Sequence, residues 1–157
     1  MAKQIIPFLL LSLALLTGCK KDEWFDWKAR NQMVLEQVKT QPGFTTTATG
    51  LVYRVLQDDF PSEAVPNSQS YVTCSPCLGY LINGYRFQSA PLGGIQVSEL
   101  IPGFQEGIKK IHAHGTIEMY IPYELGYGEE SQGTEGTTSF IPAYSTLHFI
   151  VTLSQVY

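Results

Sequence analysis

The sequence predicts an α+β fold, an antiparallel sheet with one short helix on its apolar face, and three stretches carry that prediction. "GTIEMYI" alternates Ile117, Met119 and Ile121 against Thr116, Glu118 and Tyr120, and "TLHFIVTL" alternates Leu147, Phe149, Val151 and Leu153 against His148, Ile150 and Thr152. A period of two with one apolar side is the pattern of a sheet that buries one face. "PGFQEGIKKIHAHG" sets Phe104, Ile108 and Ile111 at i, i+4 and i+7, a helical stripe that Gly115 is expected to close. "YVTCSPCLGYLINGYRF" reads as a hairpin turning at Asn83-Gly84, since an Asn-Gly pair supplies the positive φ angles of a tight turn.

The first residues stand outside this fold. Lys3 precedes the apolar run Ile5 to Leu16, which has the length of a secretory signal and is short for a membrane span. It ends in "LTGC", Leu16 to Cys19, which resembles a bacterial lipobox. The resemblance implies cleavage before Cys19 and a diacylglycerol on its thiol; two or more acyl chains hold a protein stably on a bilayer. The expected organisation is a signal over residues 1–18, a lipidated tether and helix over 19–49, and one domain over 50–157. The ten basic residues less Lys3, against fourteen acidic ones, leave a charge of −5. No basic stripe remains, which points away from nucleic acid as a partner. "KKDE" after Cys19 reads either as a surface-directing cluster or as a solvated tether.

From Glu23 to about Thr40 the chain reads as a helix, with Trp24, Trp27, Met33, Val34 and Val38 among charged and amide residues, stopped by Pro42 and Gly43. It can pack on the domain, meet a second copy or rest on a membrane; the first is the default, and the oligomeric state stays open. A Thr-rich connector leads to "LVYRVLQ", Leu51 to Gln57, whose alternation and β-branching predict a strand, and "DDFPSEAVPNSQS" reads as a loop. "IPYELGYG" places Tyr127 between Gly126 and Gly128, where a freely turning backbone can aim a phenol.

Taken in order, "ELIPGFQEGIKKI", "GTIEMYIPYELGYGEE" and "FIPAYSTLHFIVTL" resemble the second half of an FKBP-type peptidyl-prolyl isomerase domain. "GLVYRVL" to "GYRFQSA" follows the first half more loosely, so the resemblance covers about Gly50 to Tyr157. The helix, Thr-rich link and "GLVYRVL" are also similar to envelope-located bacterial members. The resemblance implies a curved antiparallel sheet wrapped half around the helix, with an aromatic pocket between them. Carried over residue by residue, that pocket is Phe87, Leu100, Ile101, Phe104, Tyr127, Ile141 and Phe149. Phe104 and Ile101 form its floor, where the family commonly has a tryptophan; Tyr127 points its hydroxyl into the mouth, and Ile101 offers its backbone N–H.

The implied chemistry needs no cofactor, metal, nucleophile or general acid. Peptide-bond rotation costs ~18–20 kcal/mol because resonance shares the nitrogen lone pair with the carbonyl, and a dry apolar site suits the twisted state that has lost that charge separation. Only Xaa-Pro bonds populate cis appreciably and interchange slowly, so the expected partners are proline-containing segments of exported proteins. The chain departs from the family pattern in three ways. Cys77 stands for a pocket tyrosine, Gln88 stands for an aspartate, and "SAPLGGI" is a short connection with no aromatic near Gly93. Two readings follow: an isomerase held in the bacterial envelope by lipid, at the outer membrane's periplasmic face or the cell surface, or a non-catalytic module that binds proline segments. Cys74 and Cys77 of "CSPC" leave a disulfide, inert thiols or thiol exchange open. On a regular strand i and i+3 face opposite sides, so a disulfide requires a bulge or turn. His112 and His114, two apart on a helix, do not share a face for zinc. "GEESQGTEGTTS", Gly128 to Ser139, reads as a flexible rim beside the pocket.

Overall fold

The computed structural model describes residues 24–157. The signal and Cys19 readings lie outside them. Among the described residues no helix is long and apolar enough to cross a membrane.

Helix α1 spans Phe25–Lys39 and the two-residue strand β1 Thr45–Thr46. Strands β2 (Val52–Gln57), β3 (Tyr71–Tyr80), β4 (Arg86–Gln88) and β5 (Leu92–Gln96) follow. Helix α2 (Pro102–Ile108), β6 (Thr116–Ile121) and β7 (Leu147–Val156) complete the chain. All pairings are antiparallel in the order β1-β2-β6-β7-β3-β4, with β5 on the same edge of β3 as β4. The expected hairpin forms: Leu81 N–H donates to Tyr85 O (2.8 Å), Gly84 N–H to Leu81 O (2.9 Å), and Gly84 takes φ +81°.

The inner face carries the core. Ile117, Met119 and Ile121 of β6 and Leu147, Val151 and Leu153 of β7 are fully buried with Ile108 and Ile111. Glycines bring the helix onto this face. A methyl on Gly107 would stand 2.0 Å from Met119 Sδ, and one on Gly103 would stand 2.4 Å from Ile121 Cγ2. Spaced i and i+4, the two glycines form one seam of close backbone approach, the use that offsets their poor helix propensity.

Helix α2 ends at Ile108, well before Gly115, although Ile111 is as deeply buried as expected. The last turn tightens as Lys110 N–H donates to Gly107 O (2.9 Å), and beyond it Asp58 holds the chain in its turn, Oδ1 accepting from the His112 backbone N–H (3.0 Å) and Oδ2 meeting His112 Nδ1 (2.9 Å). His112 and His114 therefore lie in a turn beyond the helix, His114 at φ +73° against the Phe60 ring. "SAPLGGI", expected as a bare connection, contains strand β5, whose Ile95 opposes Val72 and whose Leu92 opposes Cys74. Its two glycines obscure the strand pattern, because glycine weakens strands and Gly94 takes φ +62°.

Helix α1 packs on the outer face of the sheet. Leu35 and Val38 cluster with Val52, flanked by Phe44 and Tyr120. Asn31 is fully buried: its Nδ2 donates to Trp27 O (2.8 Å) and its Oδ1 accepts from Thr146 N–H (2.7 Å). Glu118, on the nominally polar side of β6, is nearly buried here as well. Its carboxylate accepts from Arg54 Nη2 (2.5 Å) and faces His148 Nε2 at 2.9 Å, with His148 stacked on Tyr120.

Between Cys74, opposite Leu153, and Cys77, opposite Val151, β3 carries one residue more than β7. This bulge turns both sulfurs to the inner face. The thiols are free and fully buried. Burial pushes Cys74 up to about 12, with Cys77 adding to the rise, and burial pushes Cys77 up to about 11. Thiol exchange needs a lowered pKa and access, so the redox reading loses its footing.

Two outcomes follow. Gly107→Ala is expected to lower stability by about 1–2 kcal/mol, because overpacking costs about 1–3 kcal/mol and better helix propensity returns up to about 1; urea denaturation measures it. For the thiols, the folded state holds its protons to higher pH than the unfolded chain, whose cysteines ionise near their usual 9.0. Stability is therefore full below about pH 9 and falls as pH rises toward the folded values of about 11 and about 12, with a slope that Cys74→Ala reduces. Denaturant midpoints between pH 7 and pH 11 test this.

Candidate active site

Between α2, the β3–β4 edge and the loop preceding β7 lies a cleft of about 480 Å³. Its floor is aromatic. The Phe104 and Phe149 rings meet edge to face at 5.2 Å, and Phe87 meets Phe149 at 5.5 Å. Such edge-to-face pairs hold each ring in one orientation. Gly79 makes room for them, since a methyl there would stand 2.8 Å from both the Phe149 and the Phe87 ring.

Ile101 caps the N-terminus of α2 and accepts from Phe104 N–H and Gln105 N–H, each at 3.0 Å. Its own N–H donates to no acceptor among the described residues. Gln105 Nε2 donates to Leu100 O (2.7 Å) and Ser98 O (3.2 Å), which fixes the strand end that delivers Leu100 and Ile101 to the cleft.

Tyr127 stands at the mouth, 40% exposed, and makes no hydrogen bond among the described residues. A turn over Tyr123–Leu125 aims it: Gly126 N–H (3.0 Å) and Gly128 N–H (2.9 Å) both donate to Tyr123 O, and Gly128 takes φ +72°. Burial raises its phenol above the usual value, so the hydroxyl stays a donor at neutral pH. Helix α1 steadies this turn from outside, with Lys28 Nζ over the Tyr144 ring at 4.2 Å and the Tyr123 ring at 5.1 Å. Tyr144 N–H in turn donates to Gly128 O (3.0 Å).

The loop from Gly128 onward closes the far side. Gln132 and Ile141 pair like strands, with N–H to O distances of 2.8 and 2.9 Å, and Ala143 N–H donates to Ser131 Oγ (3.0 Å). The rim is thus pinned at its base, and Gln132, Gly133, Ser139 and Ile141 face the cleft.

Of the residues singled out in the sequence, Phe87, Gln88, Leu100, Ile101, Phe104, Tyr127, Ile141 and Phe149 all line this cleft, and Cys77 does not. Cys77 lies in the core opposite Val151, two residues from Gly79, behind the aromatic wall. Gln88 spends its amide locally, Nε2 donating to Ala90 O (2.7 Å). Leu92, Ile95 and Glu99 also line the cleft and were missed; Leu92 and Ile95 stand i and i+3, no strand alternation, and the register irregularity against Val72 and Cys74 accompanies their common facing.

A family model described as "FKBP-type peptidyl-prolyl cis-trans isomerase" matches residues 66–154. The FKBP-type peptidyl-prolyl cis-trans isomerase FkpA of Escherichia coli K12 is 35% identical over 135 residues, covering 83% of this chain and 47% of the relative. The outer membrane protein MIP of Legionella longbeachae is 34% identical over 110 residues, covering 68% and 46%. The chain spans about half the length of these curated relatives. The crystal structure of Escherichia coli FkpA aligns with a TM-score of 0.72 at 34% identity, over 83% of this chain and 59% of that one. A Pseudomonas syringae isomerase structure, 18% identical with a TM-score of 0.71, shows the shared fold.

Gly79→Ala is expected to displace Phe87 and Phe149. Near-ultraviolet circular dichroism should lose aromatic signal while the far-ultraviolet spectrum keeps its sheet, at a cost of about 1–3 kcal/mol in stability.

Proposed function

Because the chain belongs to the FKBP-type peptidyl-prolyl cis-trans isomerase family, we propose that it isomerises Xaa-Pro bonds in exported polypeptides while held in the bacterial envelope by a lipid on Cys19. The "LTGC" motif and the likeness to a relative named an outer membrane protein support the location. The single observation that carries the activity is the aromatic cleft with two donors at its edge, the Ile101 N–H and the Tyr127 hydroxyl, that meet no acceptor among the described residues.

The proline ring enters the cleft onto Phe104 and Phe149, with Phe87 and Ile141 as walls and Leu100 and Gln88 at the sides. Ile101 N–H and the Tyr127 hydroxyl each donate to a carbonyl of the bound segment. These bonds hold the segment in register while the Xaa-Pro bond turns. As the bond twists, its nitrogen becomes pyramidal and the carbonyl loses charge. The apolar walls favour that less polar state over the planar amide. Each ~1.4 kcal/mol of such preference is a tenfold gain in rate. No step moves a proton, so Tyr127 acts as a neutral donor throughout. Cys77 supports the Phe149 wall from behind.

One observation favours a second reading, a module that binds proline segments without turning them over. Gln88, where the family has an aspartate, is hydrogen-bonded to Ala90 O, so it exerts no charge on the cleft mouth.

Cis-to-trans relaxation of a short Xaa-Pro peptide, followed with the full chain, separates the two. The isomerase reading expects acceleration that falls roughly two- to tenfold in Tyr127→Phe, the worth of one lost hydrogen bond. No acceleration from folded protein leaves the binding reading.

A further inference from the structure

We infer that the rim of the cleft faces the lipid bilayer, with the start of α1 resting in the headgroup layer, so that the segments it receives are those lying close to the membrane surface. The inference deepens the proposed function and rests on it for one thing, the lipid on Cys19. Trp24 follows Cys19 by five residues. A stretch of that length spans at most roughly 17–18 Å, whatever its conformation. An anchored chain therefore holds the start of α1 within that distance of its lipid.

Helix α1 passes this closeness on to the cleft. At its start the Trp24 ring stands 6.3 Å from that of Phe140, which lies between the cleft residues Ser139 and Ile141. Trp27 Nε1–H donates to Ser145 Oγ (3.0 Å), Thr146 N–H donates to Asn31 Oδ1 (2.7 Å), and Lys28 Nζ sits over the Tyr123 and Tyr144 rings. These contacts join the helix to both loops that frame the mouth, so the rim lies where the helix begins. The other end of the domain stands a strand's length away. Strand β6 runs from Thr116 to Ile121, roughly 17 Å of rise, and the turn that aims Tyr127 follows Ile121. Before Thr116, Ala113 N–H donates to Ala64 O (2.9 Å) and His114 meets the Phe60 ring, which sets the loop around Glu63 at that far end.

The surface at the helix end suits a bilayer. Phe25 is 57% exposed beside Trp24, an aromatic pair of the kind that settles at a membrane–water interface. Further along α1, Met33 stands among the exposed Arg30, Gln32, Glu36 and Gln37, so the helix meets the bilayer by its end and not along its side. The rim carries the exposed Glu129, Glu130 and Glu135, and no lysine or arginine follows Lys110. Charge therefore does not draw this face to an anionic membrane; the short tether and the aromatic pair hold it there.

The test uses the full chain, expressed with its leader and reconstituted in phosphatidylcholine vesicles whose headgroups carry a nitroxide quencher. A fluorophore is attached in Glu135→Cys, on the rim, or in Glu63→Cys, at the far end; both positions are exposed, while the fully buried Cys74 and Cys77 stay unlabelled. Trp24 and Trp27 are the only tryptophans and report on α1 without a label. The quencher is expected to remove emission from the tryptophans and from the label at 135, and to leave the label at 63 bright. A Gly-Ser spacer of about 20 residues between Asp22 and Glu23, with an r.m.s. reach of roughly 25 Å, is expected to restore the lost emission. Equal quenching at 135 and 63 overturns the inference and leaves the anchor standing. So does unquenched emission from an acylated chain, whether a second copy covers the helix end or the domain stands off. A mature chain whose mass shows no acyl group on Cys19 overturns the anchor and the inference together. None of these readouts depends on turnover, so they stand apart from the test of the isomerase reading.

Discussion

The site depends on how closely α2 lies against β6. Gly103 and Gly107 leave no side chain between the helix backbone and Ile121 and Met119, so the helix sits lower on the sheet than any residue with a Cβ would permit. Phe104, between them in sequence, is carried down onto Phe149 and becomes the floor. Ile101, one residue before the helix, is lowered with it, which fixes the height of its N–H above that floor. Gly79 plays the same part across the cleft, admitting Phe87 and Phe149 together. Depth, width and donor position are therefore three results of glycine at three points, each filled by a neighbour's side chain.

The opposite edge is set from outside. Tyr127 owes its aim to the Tyr123 carbonyl, and that turn is steadied by α1 through Lys28. The same helix sends Trp27 Nε1–H to Ser145 Oγ (3.0 Å) and Asn31 to Thr146, anchoring the segment where the rim returns to β7. Buried polar groups are costly unless paired, so these bonds fix one seating for α1 and not merely an apolar fit. The extension before the domain is thus continuous with the architecture of the cleft.

Most of this was legible in the sequence wherever a pattern repeats locally. Strands β6 and β7, the Asn83-Gly84 hairpin and the helical stripe of Phe104 and Ile108 announce themselves through periodicity and turn chemistry. The resemblance supplied what periodicity cannot, namely which of those apolar residues face a cleft. What escaped was decided by contacts distant in sequence. Asp58 takes the His112 amide and holds the turn beyond α2; α1 covers the outer face and makes Glu118 and Asn31 interior residues. Strand β5 was hidden because two glycines interrupt its pattern, and with it went Leu92 and Ile95, which line the wall where an aromatic was missed. Cys77 was assigned to the cleft by alignment, yet the one-residue bulge in β3 sends it into the core.

The distribution of polarity then follows from the reaction the cleft is suited to. A twisted amide is less polar than a planar one, so walls that accelerate its formation must be dry, and an ion placed among them would favour the ground state. A charge within Phe104, Phe149 and Ile141 would also face a large desolvation cost with no partner to offset it. Charge can influence selection only where water still solvates it, at the rim. Glu99 and the glutamates of the closing loop occupy that position, while neutral donors occupy the interior edge. On the proposed function, the apolar walls set by sheet and helix would carry the rate, and charged groups would act only from the solvated rim.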